Sequence, residues 1–233
     1  MSKRHALGQH FLTSNQVAES IVDLAHITRR DTVLEVGTGK GILTSHLYGK
    51  AKRVISVEKD PVLYREAKMR FSGIHNLELE YGDAFEMDVD FTVLVSNLPY
   101  SESRNAIEWL VQRKFSHAVI MVQKEFVRKL FLKKGSDRRA VSVLAGYCLD
   151  MEQLLDVGKA SFQPVPKVDS VVIGMKQKKK VPKELITAVN RLFSFKRKTV
   201  RNIARQFDIV IDSDKRLEDL SDGEIIDIAK KIV

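Results

Sequence analysis

The architecture is indicated most clearly by ten consecutive residues, Thr32-Val33-Leu34-Glu35-Val36-Gly37-Thr38-Gly39-Lys40-Gly41. The first five predict a buried strand, because they are mostly β-branched and apolar. The glycines that follow let the backbone approach a ligand closely. A helix is expected next, with Ile42, Leu43 and Leu47 on its inward face. A strand, a glycine loop and a helix in this order are typical of the nucleotide-binding unit of a doubly wound α/β sheet.

The spacing of the glycines bears on the class of nucleotide. Gly37, Gly39 and Gly41 follow the pattern Gly-x-Gly-x-Gly, whereas dinucleotide enzymes have Gly-x-Gly-x-x-Gly, so the loop does not favour NAD. The second predicted strand, residues 54–58, ends in Glu58, which lies 21 positions after Gly37. A carboxylate there can accept both ribose hydroxyls of a nucleoside, although it can also be a solvated acid at a strand end. The spacing favours the ligand.

Two further strands bring polar groups to the same edge of the predicted sheet. Residues 77–81 alternate as a third strand, after which Asp83 is placed to accept a hydrogen bond from the amino group of an adenine. Residues 92–95 predict a fourth strand that runs into Asn97-Leu98-Pro99-Tyr100. Pro99 has no N–H to continue a strand ladder, so the strand must stop before it. In an open α/β sheet, ligands bind at the carboxyl ends of the strands.

This tetrapeptide suggests methylation of an amino group conjugated to a planar ring. Such a nitrogen is a poor nucleophile, because its lone pair is delocalised into the ring. The Asn97 side-chain oxygen and the Leu98 main-chain carbonyl could each accept one of its hydrogens and favour a tetrahedral nitrogen. Tyr100 could stack on the ring. The alternative is a proline-stopped loop in which Asn97 caps a turn and Tyr100 covers the core.

The rest of the chain alternates helices and strands and then becomes helical. Helices are predicted in residues 17–25 (capped by Ser14 or Asn15), 61–71, 101–114, 125–132 and 140–149, and strands in 117–122, 154–157 and 171–173. Pro164 and Pro166 fix an extended loop that either holds Phe162 against a substrate base or serves as a structural crossover. The lysine-rich residues 176–180 predict a linker, followed by short helices in 185–193, 199–207 and 224–232.

Composition restricts the class of protein. The 233 residues are 44% hydrophobic and 30% charged, which is typical of a soluble globular chain with one core and a small second unit. No apolar run approaches the roughly 20 residues that span a bilayer, and the N-terminus lacks the apolar stretch of a signal peptide, so we expect a cytoplasmic protein. The single Cys148 cannot form an internal disulfide, and no two histidines have the i, i+4 spacing of a helical zinc site, so we expect no metal.

The net charge of +9 favours a polyanionic partner, and nucleic acid is the foremost class. The basic residues concentrate in two places. Residues 133–139 form a basic loop that is either a solvated turn or a phosphate contact. A basic stripe on the predicted helix 199–207 fits an RNA phosphate surface, although such helices are commonly only solvated. The stripe consists of Lys196, Arg197, Lys198, Arg201 and Arg205.

Four motifs in order along nearly the whole chain resemble those of the KsgA-type ribosomal RNA adenine dimethyltransferases. They are Gly8-Gln9-His10-Phe11-Leu12, Asn97-Leu98-Pro99-Tyr100, Phe162-Gln163-Pro164-Val165-Pro166-Lys167-Val168-Asp169-Ser170 and Phe193-Ser194-Phe195-Lys196-Arg197-Lys198-Thr199. The resemblance implies a Rossmann-like class I methyltransferase that uses S-adenosylmethionine, with a mostly parallel seven-stranded sheet and a small C-terminal helical domain. Residues 1–176 would form the cofactor domain and residues 181–233 the RNA-binding domain.

The resemblance also implies an activity and its partner. Four methyl groups would be transferred to N6 of two adjacent adenosines in a hairpin near the 3′ end of small-subunit ribosomal RNA, within the maturing small subunit. The enzyme would be a monomer without a metal and without a membrane attachment. The related methylases that act on large-subunit ribosomal RNA are one alternative. A ribosome assembly factor without enzymatic activity is another.

By the same resemblance, each site residue receives a role. The residues that would line the cofactor are His10, Leu12, Gly37, Gly39, Glu58, Asp83 and Asn97, with Glu58 on the ribose and Asp83 on the adenine. The target base would be received by Asn97, Leu98, Pro99, Tyr100 and Phe162. Three features depart from the family pattern: His10 replaces the more common Asn, Thr38 replaces Pro, and Ser101-Glu102-Ser103 replaces Asn-Ile-Ser. The short C-terminal unit suggests an archaeal-like form.

Overall fold

Nine strands are present among residues 10–233, which are the residues that the computed structural model describes. They are β1 (Phe11–Leu12), β2 (Thr32–Val36), β3 (Arg53–Glu58), β4 (Leu77–Tyr81), β5 (Val93–Asn97), β6 (His117–Gln123), β7 (Leu149–Val157), β8 (Phe162–Gln163) and β9 (Ser170–Gln177). Seven form one sheet in the order β4-β3-β2-β5-β6-β9-β7, and β1 pairs with β8. Gly8 and Gln9 of the first motif lie outside the described residues.

The direction of the strands confirms the predicted α/β class. β2 is parallel to β3 and to β5, β3 is parallel to β4, and β5 is parallel to β6. β9 is antiparallel to β6, so the seven-stranded sheet is mostly parallel, as expected. Because parallel strands point the same way, the carboxyl ends of β2, β3, β4 and β5 lie at one edge of the sheet.

Nine α-helices accompany these strands within residues 10–233. They are α1 (Asn15–Leu24), α2 (Thr44–Leu47), α3 (Pro61–Arg70), α4 (Ser103–Leu110), α5 (Lys124–Leu130), α6 (Ala140–Cys148), α7 (Lys183–Ser194), α8 (Val200–Ala204) and α9 (Asp222–Lys230). Of the two candidate caps of α1, Ser14 is the one used, since its hydroxyl accepts the Val17 N–H at 3.3 Å. The helix after the glycine loop is a single turn, although Leu43 and Leu47 are buried as expected.

Several strands are longer than their sequence pattern predicts. β5 continues to Asn97 because Asn97 is paired with Met121 of the neighbouring strand. β9 continues to Gln177, so the first two residues of the predicted linker at 176–180 belong to a strand. β7 begins at Leu149, well before the predicted start at residue 154. Pairing with strands that are distant in sequence extends each of them beyond its apolar run.

Residues 10–233 divide into two compact units that interleave along the chain. The first consists of residues 10–106, 114–124 and 151–176. Its core joins Val33, Val54 and Val95 of the sheet to Ala18 and Ile21 of α1, all of them buried. Burial of these apolar side chains is the main term that holds the unit together. The functional division at residues 176 and 181 remains a prediction.

The second unit consists of residues 107–113, 125–150 and 177–233. Within it, α6, α7 and α9 pack against one another through buried side chains such as Leu144, Val189 and Ile225. Arg138 is buried in this unit, where its guanidinium donates to the Leu220 carbonyl and forms an ion pair with Asp222. Of the two alternatives for loop 133–139, the phosphate contact is therefore wrong for Arg138, because its charge is already paired inside the protein.

The basic stripe differs from its prediction in the same unit. Lys196, Arg197 and Lys198 precede α8, which begins at Val200, so they are not on its surface. Arg201 does lie on α8, and its guanidinium contacts the carboxylates of Asp212, at 2.5 Å, and Asp214, at 3.1 Å. The stripe is therefore not one helix face, and the charge of Arg201 is compensated.

Candidate active site

A cavity of about 450 Å³ opens at the carboxyl edge of the sheet, within the first unit. This volume is in the range of sites for small molecules and cofactors. Ten of the eleven predicted site residues line it: His10, Leu12, Gly37, Gly39, Glu58, Asp83, Asn97, Leu98, Pro99 and Tyr100. The exception is Phe162. The parallel strands explain the convergence, because each strand delivers the residue at its own carboxyl end.

The glycine loop forms one wall of the cavity. Gly37, Gly39 and Gly41 all have positive φ, at 81°, 56° and 73°, a conformation that favours glycine. The Gly37 N–H donates to the Val57 carbonyl at 2.8 Å, which fixes the loop to the end of β3. A Cβ on Gly39 would lie 3.6 Å from the Phe11 ring, which is an ordinary contact distance, so the positive φ rather than a lack of space favours glycine there. The loop is thus held in a shape that exposes backbone to the cavity.

Glu58 ends β3 and is 4% exposed. One of its oxygens accepts the Gly39 N–H and the other accepts the Asp60 N–H, both at 2.8 Å. Burial raises the pKa of Glu58, while the hydrogen bonds from the Asp60 and Gly39 amides act against burial. A carboxylate has about four lone-pair sites, so two remain for hydroxyl donors in the cavity. Glu58 can therefore hold the loop and bind a ribose together.

Asp83 follows β4 and has a partner on each oxygen. The Lys59 ammonium lies 2.6 Å from Oδ2, and the Phe85 N–H donates to Oδ1 at 3.0 Å. Burial raises the pKa of Asp83, but the Lys59 ammonium and the Phe85 amide outweigh burial, so the pKa lies below its usual value. Asp83 is thus a fixed carboxylate whose remaining lone pairs can accept a hydrogen bond from an adenine amino group.

Asn97 is the last residue of β5 and lines the cavity from the strand end. The Leu98 N–H donates to the Met121 carbonyl at 3.3 Å and anchors the turn that follows. Within residues 10–233, no hydrogen bond engages the Asn97 carboxamide or the Leu98 carbonyl. Pro99 restricts Leu98 to an extended backbone. Two acceptors therefore remain available side by side at the cavity.

Tyr100 is held from two sides. Its hydroxyl lies 2.8 Å from the Ser170 hydroxyl, and its ring centroid is 5.5 Å from that of His10. His10 is itself fixed, since its Nδ1 lies 2.7 Å from the Pro164 carbonyl, which can only accept. Burial raises the pKa of Tyr100, so the phenol is neutral at physiological pH. The ring is therefore a fixed, uncharged surface on which a base can stack.

Phe162 does not reach the cavity. It is 2% exposed and belongs to the hydrophobic core of the first unit together with Leu12 and Val157. The pairing of β1 with β8 sets Phe162 opposite Leu12 and explains this burial. The prediction that Phe162 contacts the target base finds no counterpart in this arrangement.

The cavity also includes Glu35, which was not predicted as a site residue. Glu35 lies within the apolar strand β2, is 1% exposed, and accepts hydrogen bonds from the Thr44 and Ser56 hydroxyls, each at 2.6 Å. Burial raises the pKa of Glu35 to about 7 against the effect of these hydrogen bonds. An acid inside an otherwise apolar strand was the signal available in the sequence.

Two further classes of site are absent from the described part of the chain. Residues 10–233 contain no group of three or more His, Cys, Asp or Glu side chains placed to hold a metal ion. Among the same residues, no helix has both the length and the apolar character needed to cross a bilayer.

Three features define the class of protein. They are the doubly wound sheet, the glycine loop, and the carboxylates that follow the second and third strands of the parallel part of the sheet. The chain is a Rossmann-like methyltransferase that depends on S-adenosylmethionine. A family model described as ribosomal RNA adenine dimethylase matches residues 1–233. The chain belongs to this family.

Individual relatives agree with the family model. A ribosomal RNA small subunit methyltransferase A from Thermotoga neapolitana is 37% identical over 235 residues, which cover 97% of this chain and 90% of the relative. A probable ribosomal RNA small subunit methyltransferase A from Methanosarcina barkeri is 34% identical over 248 residues, with 97% and 86% covered. The crystal structure of a dimethyladenosine transferase from Plasmodium falciparum has a TM-score of 0.81 and 26% identity, and covers 94% of this chain and 96% of that one.

Proposed function

We propose that this chain dimethylates N6 of two adjacent adenosines in a hairpin near the 3′ end of small-subunit ribosomal RNA, within the maturing small subunit. The observation that carries the proposal is the pair of unengaged acceptors, Asn97 and Leu98, in a cavity that also holds nucleoside-binding carboxylates. The names of the relatives support the choice of RNA, since they act on the small subunit. The chain works as a monomer in the cytoplasm, where small subunits assemble.

The cofactor half of the cavity fits S-adenosylmethionine. Gly37 and Gly39 present backbone to the cavity. Glu58 accepts hydrogen bonds from the ribose hydroxyls, and Asp83 accepts a hydrogen bond from the adenine amino group. His10 and Leu12 complete the wall. Bound there, S-adenosylmethionine supplies a methyl group made electrophilic by its positively charged sulfur. The chain therefore needs no covalent intermediate, and its task is to position the acceptor nitrogen.

The other half of the cavity prepares the adenine amino group. The Asn97 side-chain oxygen accepts a hydrogen bond from one N–H of the adenine amino group, and the Leu98 carbonyl accepts a hydrogen bond from the other N–H. These two bonds draw the nitrogen lone pair away from the ring and toward a tetrahedral geometry that can attack the methyl carbon. Tyr100 stacks on the flipped base, and the extended backbone before Pro99 keeps the Leu98 carbonyl in place. Each transfer forms an N–C bond as the S–C bond breaks, which leaves a neutral thioether, and the alkylated nitrogen then releases one proton to water. After the first transfer and exchange of the spent cofactor, rotation of the methylated amine offers its remaining hydrogen for the second.

The RNA is held by positive charge. In the second unit, the exposed side chains of Lys133, Lys134, Arg139, Arg197 and Lys198 form what we term the basic surface. The Lys196 ammonium donates to the Ser136 carbonyl at 2.9 Å and so joins the loop 133–139 to the segment before α8. Contacts of this kind position RNA through its phosphates without reading its sequence. We therefore assign the backbone of the hairpin to residues 181–233 together with this loop.

Mapping of the modified nucleotides tests the proposal. Small subunits that lack the modification are incubated with the full chain and methyl-labelled S-adenosylmethionine, and the RNA is digested and analysed by mass spectrometry. The expected product is a pair of adjacent N6,N6-dimethyladenosines in the 3′-terminal hairpin. Methylation of large-subunit RNA would assign the chain to the other class of methylase. Subunit binding without any transferred methyl would make it an assembly factor, and either result overturns the proposal.

A further inference from the structure

The glycine loop has an anchor that its backbone does not provide. The Thr38 hydroxyl oxygen lies 2.6 Å from the hydroxyl oxygen of Ser56 on β3, and both side chains are buried. The Ser56 hydroxyl donates to Oε2 of Glu35 at 2.6 Å. Because Ser56 has a single hydrogen and directs it at Glu35, the Thr38 hydroxyl must be the donor toward Ser56. The loop is thus tied to a buried carboxyl through one intervening hydroxyl.

The strand register builds this connection. Glu35 on β2 and Ser56 on β3 are paired partners in the sheet. From the other side, the Thr44 hydroxyl at the start of α2 donates to the same oxygen of Glu35 at 2.6 Å. Glu35 therefore joins the first residue of α2 to the middle of the loop, and both donors depend on Glu35 as an acceptor.

We infer that Glu35 is a positioning residue for the cofactor loop, and that its charge makes the cavity prefer a cationic cofactor to a neutral one. The inference rests on the proposed function, since the cation is S-adenosylmethionine and the neutral counterpart at sulfur is its product, S-adenosylhomocysteine. An ionised carboxyl is also the stronger acceptor for the two hydroxyls. Protonation of Glu35 should therefore weaken both the hydrogen bonds that order the loop and the preference of the cavity for a cationic ligand.

The surroundings of Glu35 set when this proton is present. From β3 it faces Ser56 and the charged Glu58, from β5 the apolar Val95, and from α2 the hydroxyl of Thr44. Burial and the charge of Glu58 favour the protonated form, and the hydroxyls favour the ionised form. Glu35 lines the cavity, so a positive sulfonium there favours ionisation and lowers the pKa of the carboxyl. A neutral thioether provides no such effect.

Calorimetric titration with the two ligands tests the inference on the full chain without RNA. We expect the affinity for S-adenosylmethionine relative to S-adenosylhomocysteine to rise roughly tenfold between about pH 5.5 and 8.5, which corresponds to a pKa difference of about one. Titrations in buffers of different ionisation enthalpy should show that S-adenosylmethionine releases more protons than its product near neutral pH. Glu35→Gln should abolish both effects, since glutamine keeps the acceptor and cannot ionise.

A second variant separates positioning from charge. Thr38→Val keeps the size of the side chain and removes its hydroxyl, so it should weaken both ligands by a similar factor and leave the pH dependence of their ratio intact. Thr187→Val, which removes an exposed hydroxyl from α7, is the matched control and should change neither affinity. If Glu35 had only a structural role, the number of protons released on binding would be the same for S-adenosylmethionine and for its product.

The results that overturn the inference are distinct from those that overturn the function. A wild-type affinity ratio that stays constant with pH, or a ratio that still rises in Glu35→Gln, would contradict the role of Glu35 while leaving the methyltransferase intact. Wild-type protein that binds neither ligand would contradict the proposed function itself. Should Glu35→Gln fail to fold, carboxyl ¹³C NMR of the wild-type chain gives the answer, because the Glu35 resonance must titrate at lower pH with S-adenosylmethionine than with its product.

Discussion

Replacing Glu35 with glutamine should remove a loss of stability that the wild-type protein suffers as pH rises. The pKa of Glu35 is raised by burial from its ordinary 4.5 to about 7. The folded chain therefore holds this proton more tightly than the unfolded chain. Its stabilising effect is present in full below pH 4.5 and is lost as pH rises through 7. At about 1.4 kcal/mol for each pH unit in this interval, the loss amounts to about 3 kcal/mol.

Urea unfolding of the wild type and of Glu35→Gln measures this loss. The difference between their free energies of unfolding reports on Glu35 together with its coupling to Glu58, since groups that do not interact with Glu35 titrate alike in both proteins. Between about pH 5 and 8, the wild type should lose about 3 kcal/mol relative to the variant. The opposite slope, with the wild type gaining stability, would show that the carboxylate is stabilised by folding and would refute the reasoning.

Glu78→Gln is the matched control. Glu78 is an exposed acid on β4 whose hydrogen bond and ion pair with Arg53 lower its pKa from 4.5. A lowered pKa contributes stability that is present above pH 4.5 and is lost only as pH falls further. This variant should therefore give a flat difference between about pH 5 and 8. A flat difference for Glu35→Gln as well would mean that its carboxyl is not desolvated by folding.

Three further changes test other parts of the structure. Arg138→Met should lower the free energy of unfolding by about 3 kcal/mol in urea, because it removes a buried guanidinium from the Leu220 carbonyl and leaves Asp222 with only Lys133, 3.7 Å away, as its cation. A cost below about 1 kcal/mol would mean that the pair is solvated. Phe162→Ala should cost about 3 to 5 kcal/mol of stability, because the side chain is buried in the core. Phe162→Leu should keep methyl transfer near the wild-type rate. Loss of transfer in a stable Leu variant would instead indicate that Phe162 stacks on the base. Neutralising Arg197 and Lys198 to Gln should reduce the slope of log affinity for RNA against log salt by about 1 to 2. Arg201→Gln should change this slope less, because the charge of Arg201 is already compensated. A slope equal to that of the wild type after neutralisation of Arg197 and Lys198 would assign the basic surface to solvation.

The fold was readable from the sequence where local pattern and tertiary structure agree. The apolar run before Gly37 becomes the buried strand β2, and the acid after the next run becomes Glu58 at the end of β3. Because the strands are parallel, residues that follow them in sequence meet at one edge. This is why Asp83 and Asn97, which are distant in sequence from the loop, were predicted for the same cavity and do line it.

The misses have a common physical cause, since each depends on a contact that the local sequence pattern does not reveal. Phe162 is buried because β8 pairs with β1, a pairing of two-residue strands that no apolar pattern reveals. Arg138 looks like a surface cation until the start of α9 supplies its partner. Arg201 loses its free charge to two acids in the following loop. Glu35 acquires its role only through the register that sets it opposite Ser56.

The central claim is that the Asn97 carboxamide and the Leu98 carbonyl prepare the adenine amine for attack. Single-turnover methyl transfer by Asn97→Ala, at saturating S-adenosylmethionine and small subunits, tests it most directly. Asn15→Ala, an exposed change at the start of α1, is the matched control and should behave as the wild type. The account predicts a rate about 10² to 10³ lower for Asn97→Ala with subunit binding retained. Transfer at the wild-type rate would contradict it, because the amine would then react without this acceptor.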